Sequence, residues 1–341
     1  MVEDHGGLLS TIMRPFSAVY GHAIARRNRA FDAGRGVVRL SEPVISVGNL
    51  TVGGTGKTPV CKYIVGLLRN AGHNPAIAMR GYRADEQGLS DEAMEYADAF
   101  ENLPLAVGAD RVNKLQELRT HSAFDCVVLD DGFQHRRIAR DLDIVLVDAS
   151  RPRLHDHLLP AGRLREPPGA LRRADAILVT RSEGVDAALG QQIETHSGRP
   201  PVAWLAHAWG DGIDVHQGTA SARTVGVDAL KGLAVAVSLG VGNPQSVIAM
   251  IESHGADIVH LQPAVDHQHY SDASIKTLFA NAQRHAADAI IVTPKDWMKL
   301  RQHASAFDEG IPVFVPRLGV KVHEGAQRLQ EMILGAGTLE A

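Results

Sequence analysis

The run Pro43-Val-Ile-Ser-Val-Gly-Asn-Leu-Thr-Val-Gly-Gly-Thr-Gly-Lys-Thr-Pro59 leaves this chain few ways to fold. An apolar, strand-like stretch enters a glycine-rich turn, and a helical pattern of Val60, Ile64, Leu67, Leu68 and Ala71 leaves it. Strand, glycine loop, Lys-Thr and helix in that order are the context a phosphate-binding loop requires. Glycines let successive backbone N–H groups curl around phosphate oxygens, and the helix start adds its partial positive charge. On this reading Thr51, Val52, Gly53, Gly54, Thr55, Gly56, Lys57 and Thr58 cradle the phosphates of a nucleotide. Lys57 reaches the β- and γ-phosphates, and the Thr58 hydroxyl ligates Mg²⁺. Pro59 costs no intrahelical hydrogen bond so early in the helix. Thr51 departs from the strict pattern, which begins with glycine.

A second segment, Phe124-Asp-Cys-Val-Val-Leu-Asp-Asp-Gly-Phe-Gln-His135, is an apolar strand ending in two carboxylates and a glycine. Alone, such an ending is a turn signal. Beside a P-loop, Asp130 and Asp131 become candidate Mg²⁺ ligands, because open α/β sheets bind their ligands at the carboxyl ends of the strands. The two segments together describe a magnesium–nucleotide enzyme or switch.

Short apolar runs alternate with helical patterns along most of the chain, the α/β signature. Strands are expected at 43–47, 75–79, 104–107, 124–129, 142–147, 176–180, 202–205, 233–238, 257–261, 289–293 and 312–315. Many are near-continuous Val, Ile, Leu and Ala, which suits parallel strands buried on both faces. The stretch from Trp204 to Leu230 breaks the rhythm with Gly, Asp, Ser and Thr. It is read as a linker over 206–230, dividing a P-loop domain over 31–205 from a smaller C-terminal α/β domain over 231–341. The length of 341 residues accommodates two domains.

Lys plus Arg is 35 against 39 Asp plus Glu, a net charge of −4, which argues against a nucleic-acid-coating surface. Two cysteines, Cys61 and Cys126, exclude a disulfide framework and read as core residues. Neither an H-x₃-H spacing nor a Cys-His cluster points to metal handling. The longest uncharged run, Gly232–Ile251, is 20 residues long. Its middle, Ser238-Leu-Gly-Val-Gly-Asn-Pro-Gln245, breaks a helix, so it reads as strand, turn and helix rather than a membrane span.

The N-terminus carries a different pattern. Leu8, Leu9, Ile12, Met13, Phe16, Val19, Tyr20, Ala23 and Ile24 fall on one arc at helical spacing, and Pro15 is expected to kink or restart the helix. The first 40 residues hold six Arg against three acids. A basic amphipathic helix over residues 1–30 either lies in an anionic lipid surface or packs on the domain.

The loop Ser46–Pro59 together with Leu129-Asp-Asp-Gly-Phe-Gln-His-Arg136 resembles the tetraacyldisaccharide 4'-kinase family. Further similar segments follow in the same order: Arg80-Gly-Tyr82, Asp110-Arg111, Leu159-Pro-Ala-Gly-Arg-Leu-Arg-Glu-Pro167 and Arg172-Arg-Ala-Asp175. Gly242-Asn-Pro-Gln245, Asp266-His267 and Thr293-Pro-Lys-Asp296 complete the set. The resemblance implies a P-loop NTPase-like, mostly parallel sheet flanked by helices, a second smaller α/β domain and a cleft between them. It implies ATP and Mg²⁺ as cofactors, and transfer of phosphate to the 4'-hydroxyl of a tetraacyl glucosamine disaccharide 1-phosphate, giving lipid IVA. It also implies a peripheral enzyme at the cytoplasmic face of the bacterial inner membrane, with the N-terminal helix on the lipid. A monomer with a lipid substrate and no nucleic-acid partner is expected.

The same resemblance makes Asp91 the catalytic base, assisted by His267, with Lys57 as the third catalytic residue. Read alone, Ser90-Asp91-Glu92 is a helix start, and the family's Gly and Pro around this Asp are Ser90 and Ala93 here. Glu92 joins Thr58, Asp130 and Asp131 as a candidate metal ligand. Arg80, Arg111 and Arg165 are candidate grips on substrate phosphate or sugar, or members of surface ion pairs. Glu166 holds either the cleft or the metal. The rival reading is a P-loop NTPase switch, such as a metal-insertion chaperone, which hydrolyses nucleotide to change partners.

Overall fold

The computed structural model describes residues 8–81, 91–210, 212–217, 222–240, 244–263, 270–307 and 310–337. These fall into two compact units, one running to His207 and resuming at Lys321, the other spanning Ala208–Val320.

The first unit opens with α1 (Leu8–Asp32), then β1 (Val44–Asn49), α2 (Lys57–Asn70), β2 (Pro75–Met79), α3 (Asp91–Ala99) and β3 (Leu105–Val107). It continues through α4 (Arg111–Arg119), β4 (Cys126–Asp130), β5 (Leu142–Asp148), β6 (Ala176–Thr180), α5 (Ala187–Ser197) and β7 (Ala203–Ala208). The second unit holds β8 (Ile213–His216), β9 (Arg223–Val225), β10 (Ala234–Leu239), α6 (Pro244–Ser253), β11 (Asp257–Pro263), α7 (Asp272–Arg284), β12 (Ala289–Val292), α8 (Pro294–Leu300) and β13 (Val313–Pro316). Then β14 (Gly319–Glu324) and α9 (Ala326–Gly337) end the described chain.

An eight-stranded sheet in the order β14-β7-β6-β5-β1-β4-β2-β3 forms the first unit. β1 pairs in parallel with both β4 and β5, so the strand that feeds the glycine loop is central. All six of its residues are buried, as its near-continuous apolar run requires with helices on both faces. The register sets Val47 beside Asp130 and brings the β4 carboxylate level with the end of β1. Gly48 is needed there because a side chain would meet Phe133 backbone nitrogen at 2.6 Å. The turn after β4 thus lies directly on β1, tied by Gly132 N–H donating to Val47 carbonyl at 2.9 Å.

The second unit is a six-stranded sheet, β11-β10-β12-β13-β8-β9, parallel through β13 and antiparallel beyond it. Its core gathers Ile275, Leu278 and Phe279 of α7 under Ile290, Val292 and Val313.

Two domain expectations need correction. Residues 206–230 are not a linker: Ile213–His216 and Arg223–Val225 form the antiparallel edge of the second sheet. Their few residues and mixed polarity hid them, since an edge strand needs no continuous apolar run. The C-terminal boundary at 341 also fails, because β14 rejoins the first sheet beside β7 and α9 packs against α2 and β1.

α1 does not restart at Pro15: it is one continuous helix from Leu8 to Asp32. Ser10 and Ser17 Oγ, on either side of the proline, donate to Ala161 and Leu158 carbonyls at 3.2 and 2.8 Å, and these bonds tie both sides of the proline to the 158–161 segment. The single apolar arc is divided as well. Ser17, Tyr20, Ile24 and Asn28 turn toward the domain, whereas Ile12, Phe16 and Val19 are 53%, 59% and 70% exposed. Among the described residues no helix is long and apolar enough to cross a membrane.

Candidate active site

Residues 50–58 leave the end of β1 and enter α2 through Gly56, whose φ of 82° lies in the left-handed region. A side chain at Gly56 would also meet His207 Nε2 at 2.5 Å, so glycine is required twice over. The loop is braced from below. Asn49 Nδ2 donates to Thr55 Oγ1 at 2.8 Å, and Thr180 Oγ1 donates to the Thr55 carbonyl at 2.8 Å. Thr51 is buried and bridges Leu164. Val52 N–H donates to the Arg163 carbonyl at 2.9 Å, and Arg165 N–H to the Leu50 carbonyl at 2.7 Å. Thr51 therefore holds a strand-like contact with the 158–166 segment, a role that does not call for glycine.

A cavity of about 620 Å³ opens above this loop. Val52, Gly53, Gly54, Thr55, Gly56, Lys57 and Thr58 form its floor, and Arg80, Glu92, Asp130, Asp131, Gln134 and Arg165 line its walls. The size suits a small molecule with a triphosphate tail.

The two adjacent aspartates are in different electrostatic states. Asp130 is 5% exposed; Tyr96 hydroxyl donates to its Oδ2 at 3.0 Å, and its Oδ1 is buried without a hydrogen-bond partner. Burial pushes its carboxyl above the usual range, against the pull of Lys57 and Tyr96. Asp131, at φ 52°, has Lys57 Nζ 3.4 Å from Oδ1 and Arg165 Nη1 2.7 Å from Oδ2. Burial raises it too, but Lys57 and Arg165 together outweigh burial and hold it below the usual range. Glu92, at the rim, is raised by burial and then by the charge of Asp130. An orphaned carboxylate oxygen beside a P-loop threonine is a hard-oxygen setting that fits Mg²⁺.

The remaining residues sort as follows. Arg111 is 3% exposed and donates to the Asp131 carbonyl at 3.2 Å, so it shapes the carboxylate turn from inside rather than lining the cavity. Arg80 is exposed in the wall. Glu166 is fully buried; Arg173 grips it with two 2.8 Å bonds and Asn28 donates to it at 2.6 Å. That satisfied carboxylate anchors α1 and leaves the metal reading of Glu166 unsupported. α3 begins at Asp91, as the helix-start reading expects. His267 lies outside the described residues, and so does the Asp91 side chain.

Several residues of the site escaped sequence reasoning. Tyr20, Ile24 and Arg27 bring α1 into the cavity wall, and Gln134 links Arg165 (3.1 Å) to the Asn49 carbonyl (2.9 Å). Gln134 sits inside the Asp-Asp-Gly-Phe-Gln-His segment, so its position was the available signal. His207, largely buried behind Gly56, is held down to about 4 by burial and then by Arg181. Folding also gathers His73, Asp125 and Cys126, but Asp125 already accepts from Asn74 N–H and faces His73, and burial pushes the Cys126 thiol up.

The family model described as Tetraacyldisaccharide-1-P 4'-kinase matches residues 9–336. A tetraacyldisaccharide 4'-kinase of Geobacter sulfurreducens is 34% identical over 336 residues, covering 92% of this chain and 90% of that protein. One of Shewanella halifaxensis is 30% identical over 302 residues, covering 85% and 84%. Among solved structures, LpxK from Aquifex aeolicus in complex with ATP superposes with a TM-score of 0.73 at 28% identity, covering 96% of this chain and 99% of that one.

Proposed function

This chain belongs to the tetraacyldisaccharide 4'-kinase family, and from that premise we infer how its first unit does the family's work. The protein is a phosphotransferase that moves the γ-phosphate of ATP to the 4'-hydroxyl of a tetraacyl disaccharide 1-phosphate, a step of lipid A synthesis. The observation that carries the reading is a buried carboxylate oxygen without a hydrogen-bond partner, Asp130 Oδ1, on a residue that lines the same cavity as Lys57 and Thr58.

In this proposal residues 52–58 hold the triphosphate, and Lys57 neutralises charge on the transferring group. Thr58 and Asp130 hold Mg²⁺, with Glu92 at the rim; the ion supplies charge neutralisation and a template for in-line transfer. Asp131, paired with Lys57 and Arg165, serves to aim those two cations. Arg80 and Arg165 lie where an anionic group entering the cavity would meet them. The roles that the resemblance gives Asp91, as base, and His267, as its assistant, belong to this proposal and are tested by Asp91→Asn and His267→Ala.

The lipid side follows from α1. Its outward face of Ile12, Phe16 and Val19, with exposed Arg14, Arg26 and Arg29, suits an anionic bilayer surface. Its inward face reaches the cavity through Tyr20, Ile24 and Arg27. A substrate anchored by its acyl chains would then present its sugar hydroxyl beside the nucleotide, at the cytoplasmic face of the inner membrane where ATP is available. The test is ATP turnover with and without the tetraacyl disaccharide 1-phosphate in detergent. A kinase turns over ATP only with lipid; equal turnover without it would favour the NTPase switch.

A further inference from the structure

The Tyr96 side chain has no evident part in ATP or lipid binding, yet it is among the largest fully buried side chains of the protein. It lies on α3, five residues after Asp91, and its hydroxyl reaches across to Asp130 at the end of β4, donating to Oδ2 at 3.0 Å. The other carboxylate oxygen, Oδ1, has no partner. A carboxylate with both oxygens free can rotate about its last bond, and desolvation favours whichever rotation finds a donor. Here the buried phenol takes one oxygen and so fixes which one is left for a cation. Outer hydrogen bonds of this kind orient ligating carboxylates.

The same bond does a second thing. α3 carries Asp91 and Glu92 in its first turn, and Tyr96 sits about one and a half turns later on the same helix. Tyr96 therefore joins the carboxylate of β4 to the helix that starts at Asp91. Lys62 and Glu95, 2.7 Å apart, also join α3 to α2, but that pair does not include Asp130. The two links differ in what they can transmit.

We propose that Tyr96 is a positioning residue, which orients Asp130 toward the cation and keeps the start of α3 in register with it. The proposal rests on the reading of Asp130 as a magnesium ligand. Tyr96→Phe keeps the ring that fills the core and removes only the donor. The measurement is Mn²⁺ binding in the presence of ATP, followed through the free-ion electron paramagnetic resonance signal. Wild type is compared with Tyr96→Phe, Glu95→Gln, Asp130→Asn and the Tyr96→Phe/Asp130→Asn pair. Melting temperatures with ATP alone and with ATP plus Mg²⁺ repeat the comparison on folded protein.

Tyr96→Phe should weaken Mn²⁺ by about tenfold and raise the Mg²⁺ needed for half-maximal turnover in parallel. KM for ATP at saturating Mg²⁺ should stay at the wild-type value. Glu95→Gln should bind Mn²⁺ as wild type does, and adding Tyr96→Phe to Asp130→Asn should cost nothing further, because coupled residues are not additive. Wild-type affinity in Tyr96→Phe overturns the proposal. So does an equal loss in Glu95→Gln, or an unchanged Tyr96→Phe loss in the Asp130→Asn background, since either would mean general loosening of α3. If wild type itself binds no Mn²⁺ with ATP, the functional reading fails first and takes this proposal with it.

Discussion

The carboxyl ends of the parallel strands in the two sheets are built from the same parts and finished differently. In the second unit Asp296 is 1% exposed, and its Oδ2 accepts from Gly240 N–H at 2.9 Å and Thr293 Oγ1 at 2.7 Å. Thr293 in turn caps α8. This buried carboxylate ties the end of β10 to the end of β12. In the first unit Asp130 is almost as buried, yet one of its oxygens has no partner, nor has Asn49 Oδ1 on the neighbouring strand. An unmatched buried polar group costs about 1–3 kcal/mol, which a ligand bound there would offset. The sheets supply rigidity in both units, and the unmatched Asp130 oxygen belongs to a residue that lines the cavity, where a ligand can complete it.

The contrast makes separable predictions. Lys57→Ala should cut phosphate transfer on the order of a thousandfold with little change in melting temperature, since Lys57 lines the cavity and is not in the core. Asp130→Asn should lower turnover on the order of a hundredfold, and its heat stability should be retained or improved because a desolvated charge is removed. Asp296→Asn should do the reverse. Replacing an accepting oxygen by an amide opposite Gly240 N–H costs about 2 kcal/mol of stability, read by urea unfolding, while KM for ATP stays as in wild type. A loss of heat stability in Asp130→Asn as large as in Asp296→Asn would erase the distinction between the two ends.

A pH series adds a smaller effect. His207 is held at about 4 against an ordinary 6.5, so the unfolded chain takes up this proton first as pH falls. Its contribution is intact above pH 6.5 and is lost progressively toward pH 4, about 2 kcal/mol by pH 5. His207→Gln should flatten that part of the decline between pH 7 and pH 5 in urea unfolding. An identical decline in the variant would place the acid sensitivity elsewhere.

Much of the first unit was legible because buried parallel strands write themselves as unbroken apolar runs. Val44–Asn49, Cys126–Asp130 and Leu142–Asp148 all lie where the sequence predicts strands. What stayed hidden obeys weaker rules. Ile213–His216 and Arg223–Val225 are short and lie at a sheet edge, and Gly319–Glu324 returns to a distant sheet by pairing that no local pattern records. The P-loop and both aspartates were readable from residue type and spacing. Their division of labour was not, since it depends on Tyr96, Lys57 and Arg165 arriving from three separate elements. Likewise the helical period of α1 showed that one face is apolar, but only the tertiary contacts of Ser10, Ser17 and Asn28 show which face is turned inward.

The decisive experiment examines the lipid itself. After incubation with MgATP, the tetraacyl disaccharide 1-phosphate is recovered and its ³¹P spectrum recorded, with Lys57→Ala in parallel. A 4'-kinase gives a second phosphomonoester resonance coupled to the proton at the 4' carbon, present with wild type and missing with Lys57→Ala. A single resonance from the original 1-phosphate, with inorganic phosphate accumulating in solution, would contradict the assignment.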